Sequence, residues 1–382
     1  MNQINLSKDF FAKPIRLNPK NFTSLKKTPW AGSVLSQTIK QSVAESPGQT
    51  KIGESWEVSC DPAMESTIQD IPNLSLSQAI CQNPIEALSP QQVKIGRDRL
   101  DILIKLINAD QPLSLQIHPA DGHPMLKTSE CGKPESWLVL NASPGAGIYL
   151  GFSKEFKLNE IHDSLKSGQF NESMLQFVPV KKGDFFEIEP GVPHAIGPGS
   201  VLFEPQRIQP GASGITWRMW DWNRRYDKNG NVDPLNGTPR DLHIEQSMSL
   251  LHPQRQWGPK YLGDIRKTPM VQNTSSVEIS AYPGNSFYQV INVKMRKNAK
   301  VSLSQEILFS TLSMIQGGIL AQTQPNGTRF ETLLSLGESA LLPWRALPAI
   351  LHAHESEAEF VLVIPSSNYS TDSIKSWIKE CV

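Results

Sequence analysis

Two pieces of one stretch, Ser114-Leu-Gln-Ile-His-Pro-Ala-Asp121 and Gly132-Lys-Pro-Glu-Ser-Trp-Leu-Val-Leu140, decide how the rest of the chain is read. In the first, apolar and polar residues alternate up to Pro119, the pattern of a strand with one buried face. Gln116 and His118 are two apart, so a strand turns both to the same side. Glu135 stands at the mouth of a second apolar run, Trp137 to Leu140, expected to return antiparallel beside the first. Three side chains able to hold a metal would then share one surface.

The 382 residues suffice for two or three domains, and 38% apolar content suffices for ordinary cores. The 29 prolines and 25 glycines punctuate short apolar runs rather than long helical ones, which favours a β-rich design. Formal net charge is zero, with no basic block or acidic tail. A nucleic-acid footprint or a membrane surface is therefore not expected, and a small molecule is the expected partner. No basic start leads into an apolar core, and no run approaches the ~18 apolar residues of a membrane span, so a cytoplasmic protein is expected. Cys60, Cys81, Cys131 and Cys381 form no Cys-x-x-Cys pair, which argues against a disulfide framework or a thiolate zinc site. Oligomeric state is not set by the sequence, and a monomer is compatible with it.

Outward from the opening stretch, Gly53 to Ser59 alternates as an irregular edge strand, and Ser75 to Cys81 and Pro90 to Gly96 read as short helices. Leu158, Ile161 and Leu165 give a helix over about 154–166, stopped near Gly168. Lys182-Gly-Asp-Phe-Phe-Glu-Ile-Glu-Pro-Gly-Val-Pro-His-Ala-Ile-Gly197 predicts a strand, a Pro190-Gly191 turn, and His194 on the next strand. Thr238-Pro-Arg-Asp241 predicts a helix N-terminus, with Ile244, Met248 and Leu251 as its apolar stripe. Residues 254–275 show no period and read as a connection. Beyond them, 287–293, 300–303, 311–315, 319–322, 339–342 and 360–364 are short strands, and Ile374, Trp377 and Ile378 a docking helix. The spacing from Gly183 to His194 repeats from Gly337 to Pro348, with proline in the histidine's place. This predicts a repeated barrel of which only the first copy binds metal.

Gln116, His118, Glu135 and His194 offer one amide oxygen, two imidazoles and one carboxylate. That set suits zinc, and also manganese, cobalt or iron(II), and leaves room for water or substrate. A single histidine in a β protein is more often an ordinary hydrogen-bonded residue; shared strand parity and the turn before His194 strengthen the metal reading. His352 and His354 lack the following Glu and Gly of a cupin metal motif and read as ordinary strand or loop residues. His123 reads as a solvated loop residue, His162 as the polar side of the first helix, His243 as part of the second. Lys133 and Arg218 near these ligands suit an anionic substrate, a phosphate in particular. Arg207 also follows His194, and Arg224 and Arg225 read as surface charges. In Ile215 to Trp222, Arg218 and Trp220 are expected on one face and Trp217 and Met219 on the other, with substrate or Asp221 as the arginine's partner.

Several blocks together resemble the type I phosphomannose isomerases of the cupin superfamily. Ser114-Leu-Gln-Ile-His-Pro is similar to the family's Ser-x-Gln-x-His-Pro, and Gly132-Lys-Pro-Glu-Ser-Trp to its Gly-Lys-x-Glu-x-Trp. Lys182 to Gly197 resembles the segment ending Gly-x-x-His-Ala-Ile. Thr216-Trp-Arg-Met-Trp-Asp-Trp and Arg240-Asp-Leu-His resemble Tyr-Arg-x-Tyr-Asp and Arg-x-Leu-His. The resemblance implies a mainly β fold of two cupin-type jelly-roll barrels with a few short helices. Residues 1–268 would be the catalytic unit and 269–382 a metal-free one. It implies interconversion of mannose 6-phosphate and fructose 6-phosphate through an enediolate. It further implies one zinc per chain on Gln116, His118, Glu135 and His194, Arg218 and Lys133 as catalytic groups, and Ser114 near the substrate phosphate. Glu189-Pro190, Cys60-Asp61-Pro62 and Glu204-Pro-Gln-Arg207 depart from the family pattern without removing a ligand. Two rivals are a cupin dioxygenase, for which Gln116 stands where a second histidine is usual, and a phosphosugar-binding protein without turnover. The sequence names no general base.

Overall fold

The computed structural model describes residues 5–366 and 373–381. Its first strands are β1 (Ile15–Arg16), β2 (Glu54–Val58), β3 (Ile102–Ala109), β4 (Leu115–Ile117), β5 (Glu130–Cys131), β6 (Glu135–Ala142) and β7 (Gly147–Phe152). They continue as β8 (Leu175–Pro179), β9 (Phe185–Ile188), β10 (His194–Ile196), β11 (Ser200–Arg207), β12 (Ser213–Gly214), β13 (Trp217–Trp220) and β14 (Arg266–Lys267). Two sheets face each other here, in the orders β14-β9-β6-β11-β3-β2 and β13-β4-β10-β7-β8. Ile107, Trp137, Val139, Ile148, Leu150, Phe186, Ile196 and Leu202, drawn from both sheets, fill the space between them. This double-sheet arrangement is a jelly-roll architecture.

The remaining strands are β15 (Met270–Asn273), β16 (Val277–Ala281), β17 (Tyr288–Met295), β18 (Lys300–Leu303), β19 (Ser310–Gln316) and β20 (Gly318–Thr323). β21 (Phe330–Ser335), β22 (Ser339–Leu342), β23 (Ala349–His352), β24 (Ala358–Pro365) and β25 (Ile378–Cys381) complete the set. They form a seven-stranded sheet, β1-β22-β19-β24-β17-β16-β15, and a five-stranded one, β21-β20-β23-β18-β25, around a second core that includes Ile279, Val301, Met314, Leu351 and Phe360. β1 comes from the start of the chain, so the N-terminus is woven into the second barrel.

The two barrels meet sheet to sheet. Leu106, Leu138 and Phe203 on the outer face of the six-stranded sheet pack with Tyr288, Val290, Leu341 and Val361 of the seven-stranded one. β3 and β6 therefore have both faces covered, and their sequences read as continuous apolar runs rather than alternations. The opposite sheet is covered on its outer face by Ile161 and Leu165 of the helix Leu158–Lys166, which pack on Leu115, Ile117, Tyr149 and Ala195. Among the described residues no helix is long and apolar enough to cross a membrane.

A buried ion pair locks the N-terminal segment to the second barrel. Lys40, fully buried, lies 2.8 Å from Glu57 and donates to the Gly337 carbonyl at 2.6 Å, while Ser55 and Ser339 donate to the same carboxylate. Lys40→Ala should leave Glu57 buried without its cation and cost about 3–5 kcal/mol in urea unfolding. A loss below about 1 kcal/mol, the range of a surface pair, would contradict this.

Three local expectations are corrected. Thr238 does not cap a helix: it bridges Tyr226, and only Ile244–Met248 is helical, because Arg240 and Asp241 are engaged elsewhere. The segment 254–275 is not a plain connection but holds the helix Gly258–Ile265, with proline in its first turn, and β14. In the tail the helix is Ile374–Trp377, and Ile378 begins β25 on the edge of the last sheet.

Candidate metal centre

Leu115 and Ile117 point out of the first barrel, so Ser114, Gln116 and His118 point in. Gln116 pairs with His194 of β10 on one side and with Arg218 of β13 on the other. Directly paired residues share a face, so these side chains form one inward row. Glu135 opens β6 on the same inward face as Trp137 and Val139. β6 does not lie beside β4, as its sequence suggested: it belongs to the other sheet, and Glu135 reaches the histidines across the barrel. The turn before β10 is tied to the first ligand strand, because the Gly191 amide donates to the His118 carbonyl at 2.8 Å. Gly191 adopts φ +86°, a conformation that favours glycine.

His118, Glu135 and His194 are all buried, and their ligand atoms lie within 4.8 Å of one another. His118 Nε2 is 3.3 Å from one Glu135 oxygen, His194 Nε2 is 3.3 Å from the other, and Lys133 Nζ is 3.3 Å from the carboxylate. Each imidazole uses Nδ1 toward a backbone carbonyl: Ile215 for His118 at 3.0 Å and Val192 for His194 at 2.8 Å. A carbonyl only accepts, so Nδ1 carries a proton in both rings and both Nε2 atoms face the carboxylate. Burial, with Lys133 nearby, pushes His118 down to about 3, so the ring is neutral. Burial alone would raise Glu135, but the Lys133 ammonium beside it holds it well below the usual carboxylate range. Two imidazole nitrogens thus converge on an ionised carboxylate, and His118 Nε2 is buried without a hydrogen-bond partner. A cation between them satisfies all three groups, and this donor set fits a divalent metal. Gln116 adjoins His194 in the row, its Nε2 donating to Ser114 Oγ at 3.4 Å.

A support for Glu135 lies in a block to which the sequence reading assigned no role. Gln206, in register with Glu135, donates from Nε2 to Glu135 at 2.9 Å and to Glu204 at 2.7 Å. Glu204 also accepts from Trp137 Nε1 at 2.9 Å. The signal available in sequence was the two-residue spacing of Glu204 and Gln206, which puts both on one face. Gln206→Ala should weaken metal binding by about 10- to 100-fold, as loss of a ligand's hydrogen-bond partner does. Competition with a chromogenic chelator would measure this, and unchanged affinity would contradict it.

Arg218 points inward, but Trp220 does not share its face. A bulge at Met219 shifts the register so that Trp220 opposes Leu115, and Trp217, Met219 and Trp220 all enter the outer apolar cluster. Asp221 is not the partner of Arg218, being taken by Arg224 at 2.6 Å and by Arg240 in two contacts of 2.7 Å. Arg224 is therefore a largely buried structural cation rather than a surface charge, and it also donates to the Pro112 carbonyl. Arg218 donates from Nη1 to the Asp241 carbonyl at 2.9 Å, while its Nε is buried without a partner. Burial and neighbouring Arg240 lower its pKa. A guanidinium so placed is available to an anion on the inward side.

The other residues lie elsewhere. Arg207 pairs with Asp121 and stacks 4.7 Å from the Phe287 ring. Arg225 donates to the Gly237 carbonyl. His123 packs against Trp217, and His352 and His354 lie in the second barrel, at and just beyond the end of β23.

Residues 21–136 match the family model for the catalytic domain of type I phosphomannose isomerase. The chain is 26% identical over 299 residues to the mannose-6-phosphate isomerase of Streptococcus mutans, an alignment that covers 77% of this chain and 84% of that protein. The crystal structure of mannose 6-phosphate isomerase from Bacillus subtilis superposes with a TM-score of 0.71 at 22% identity, covering 92% of this chain and 99% of that one. A mannose 6-phosphate isomerase crystallised with zinc and yttrium superposes with a TM-score of 0.61 at 16% identity, covering 93% and 99%.

Proposed function

We propose that the chain, whose residues 21–136 match the catalytic-domain model of type I phosphomannose isomerase, is an enzyme of that family and interconverts mannose 6-phosphate and fructose 6-phosphate with one zinc ion per chain. Gln116, His118, Glu135 and His194 would hold the zinc. The observation that carries this reading is the convergence of two imidazole Nε2 atoms and a buried carboxylate on one point, a donor set that fits a divalent metal. The relative crystallised with zinc lends support to the choice of ion. In this reading residues 1–268 carry the chemistry. Residues 269–382, with Pro348 in the place of His194, brace the first barrel through the packed sheets.

Aldose–ketose interconversion moves a proton between C1 and C2 through an enediolate, so negative charge develops on the oxygens of those carbons. Zinc, when bound, supplies Lewis-acid polarisation of such oxygens. The protein's own groups do the rest. Arg218 presents a fixed positive charge from the same inward row, worth most where water is excluded. Lys133, mostly buried against Glu135, stands ready to donate to a substrate hydroxyl. Ser114, buried at the entry of the ligand strand, would offer its hydroxyl to the phosphate, whose binding orients the reacting carbons.

The test is a coupled assay with mannose 6-phosphate on zinc-loaded protein. Formation of fructose 6-phosphate is expected, and no turnover at full zinc occupancy would refute the reading. Oxygen consumption instead would favour a dioxygenase, and tight phosphosugar binding without conversion a binding protein.

A further inference from the structure

We propose that Arg240 and Asp221 are positioning residues that hold the Arg218 guanidinium at the metal-facing row, an inference that rests on the proposed role of Arg218. Arg218 sits on a strand of four residues at the edge of its sheet, and the bulge at Met219 interrupts the ladder beside it. Such a strand cannot fix a long side chain by itself. Its free side is completed by Asp241–His243 rather than by another strand. The His243 amide donates to the Arg218 carbonyl at 2.8 Å, and the Arg218 amide donates to His243 Nδ1 at 3.1 Å, so an imidazole stands in for a strand carbonyl. The Asp241 carbonyl takes Arg218 Nη1 at 2.9 Å. Three contacts from two residues, Asp241 and His243, thus grip one arginine, its side chain included.

What fixes the gripping segment is the residue before it. Arg240 meets the Asp221 carboxylate through Nε and Nη2, both at 2.7 Å, in the planar two-point geometry that only arginine provides. Asp221 is itself buried and anchored from its own side by Arg224. It also lies three residues after Arg218, so the latch closes the gripping segment onto the strand it serves. The Arg240 guanidinium packs over the Tyr226 ring at 5.0 Å, with its side chain about three-quarters covered. Neither Arg240 nor Asp221 belongs to the inward row, so both act through Arg218.

The test is a double-mutant cycle on zinc-loaded protein with an independent view of the Arg218 side chain. Arg240→Met should lower kcat by about 10- to 100-fold, the scale of a misplacement near 1 Å, with KM changed less than about threefold and zinc content unchanged. In an Arg218→Met background the same change should cost less than about twofold. Arg240→Lys, which keeps the charge and loses the fork, should behave like Arg240→Met and serves if the latter folds poorly. In 1H–15N spectra the Arg218 Nε–H signal, identified by its loss in Arg218→Met, should broaden or exchange faster in both Arg240 variants. An additive loss in the Arg218→Met background, or an unchanged Nε–H signal, would overturn the proposal. Full activity of Arg218→Met alone would refute the role of Arg218, and the spectrum would still decide whether Arg240 positions that side chain.

Discussion

His194→Ala is expected to lose metal and turnover together. The residue contributes one of only two imidazoles at the centre, and its Nε2 has no role in the fold other than facing Glu135. Nδ1 is held by the Val192 carbonyl, and the ring edge packs 5.2 Å from Trp137, so the imidazole is oriented before any metal arrives. Removing an oriented ligand should weaken zinc by more than the ~10- to 100-fold that follows loss of an outer hydrogen-bond partner. At micromolar zinc the variant should be essentially empty and inactive. The metal-free variant should still fold, since the hydrogen bond of the His194 ring is a local one, to the Val192 carbonyl two residues before it. Zinc content by mass spectrometry, read beside the coupled assay, checks both halves. Full zinc with lost activity would move His194 from the ligand set to another role.

Arg218→Ala should do the opposite, keeping zinc and losing rate. Arg218 shares the inward row with Gln116 and His194 but has no carboxylate within 4 Å among the described residues. A half-buried guanidinium with no carboxylate in direct contact stabilises negative charge that the substrate brings. Loss of one such preorganised donor typically costs about 10²- to 10³-fold in kcat. That range is expected here, with zinc content unchanged. Activity within about threefold of wild type would exclude any such electrostatic contribution of Arg218.

Much of the site was legible because strand parity is local. Gln116 and His118 share a face whatever sheet receives them; Lys133 meets Glu135 from the loop before β6, so parity does not account for that contact. The proline-glycine turn before His194 announced a tight return, and the structure ties that turn to the His118 backbone. What depended on distant pairing was not legible. Nothing local in Glu135 to Leu140 says that β6 faces β4 across the barrel instead of lying beside it. The bulge at Met219 reverses Trp220 relative to simple alternation and places it in the outer apolar cluster with Trp217 and Met219. Arg224 reads as a surface charge until Asp221 is seen buried beneath it. Thr238-Pro-Arg-Asp241 carries the local marks of a helix start, yet Arg240 and Asp241 are drawn to Asp221 and Arg218 and the helix waits until Ile244. In each case a contact between segments far apart in sequence outweighs the local preference.

The central claim is that one zinc on these four side chains runs the isomerisation. Protein stripped of metal and titrated with zinc in the coupled assay tests it most directly. Activity rising from zero in proportion to bound zinc and levelling at one equivalent per chain is the predicted result. Undiminished turnover by fully stripped protein, or a plateau reached only at two equivalents, would contradict it.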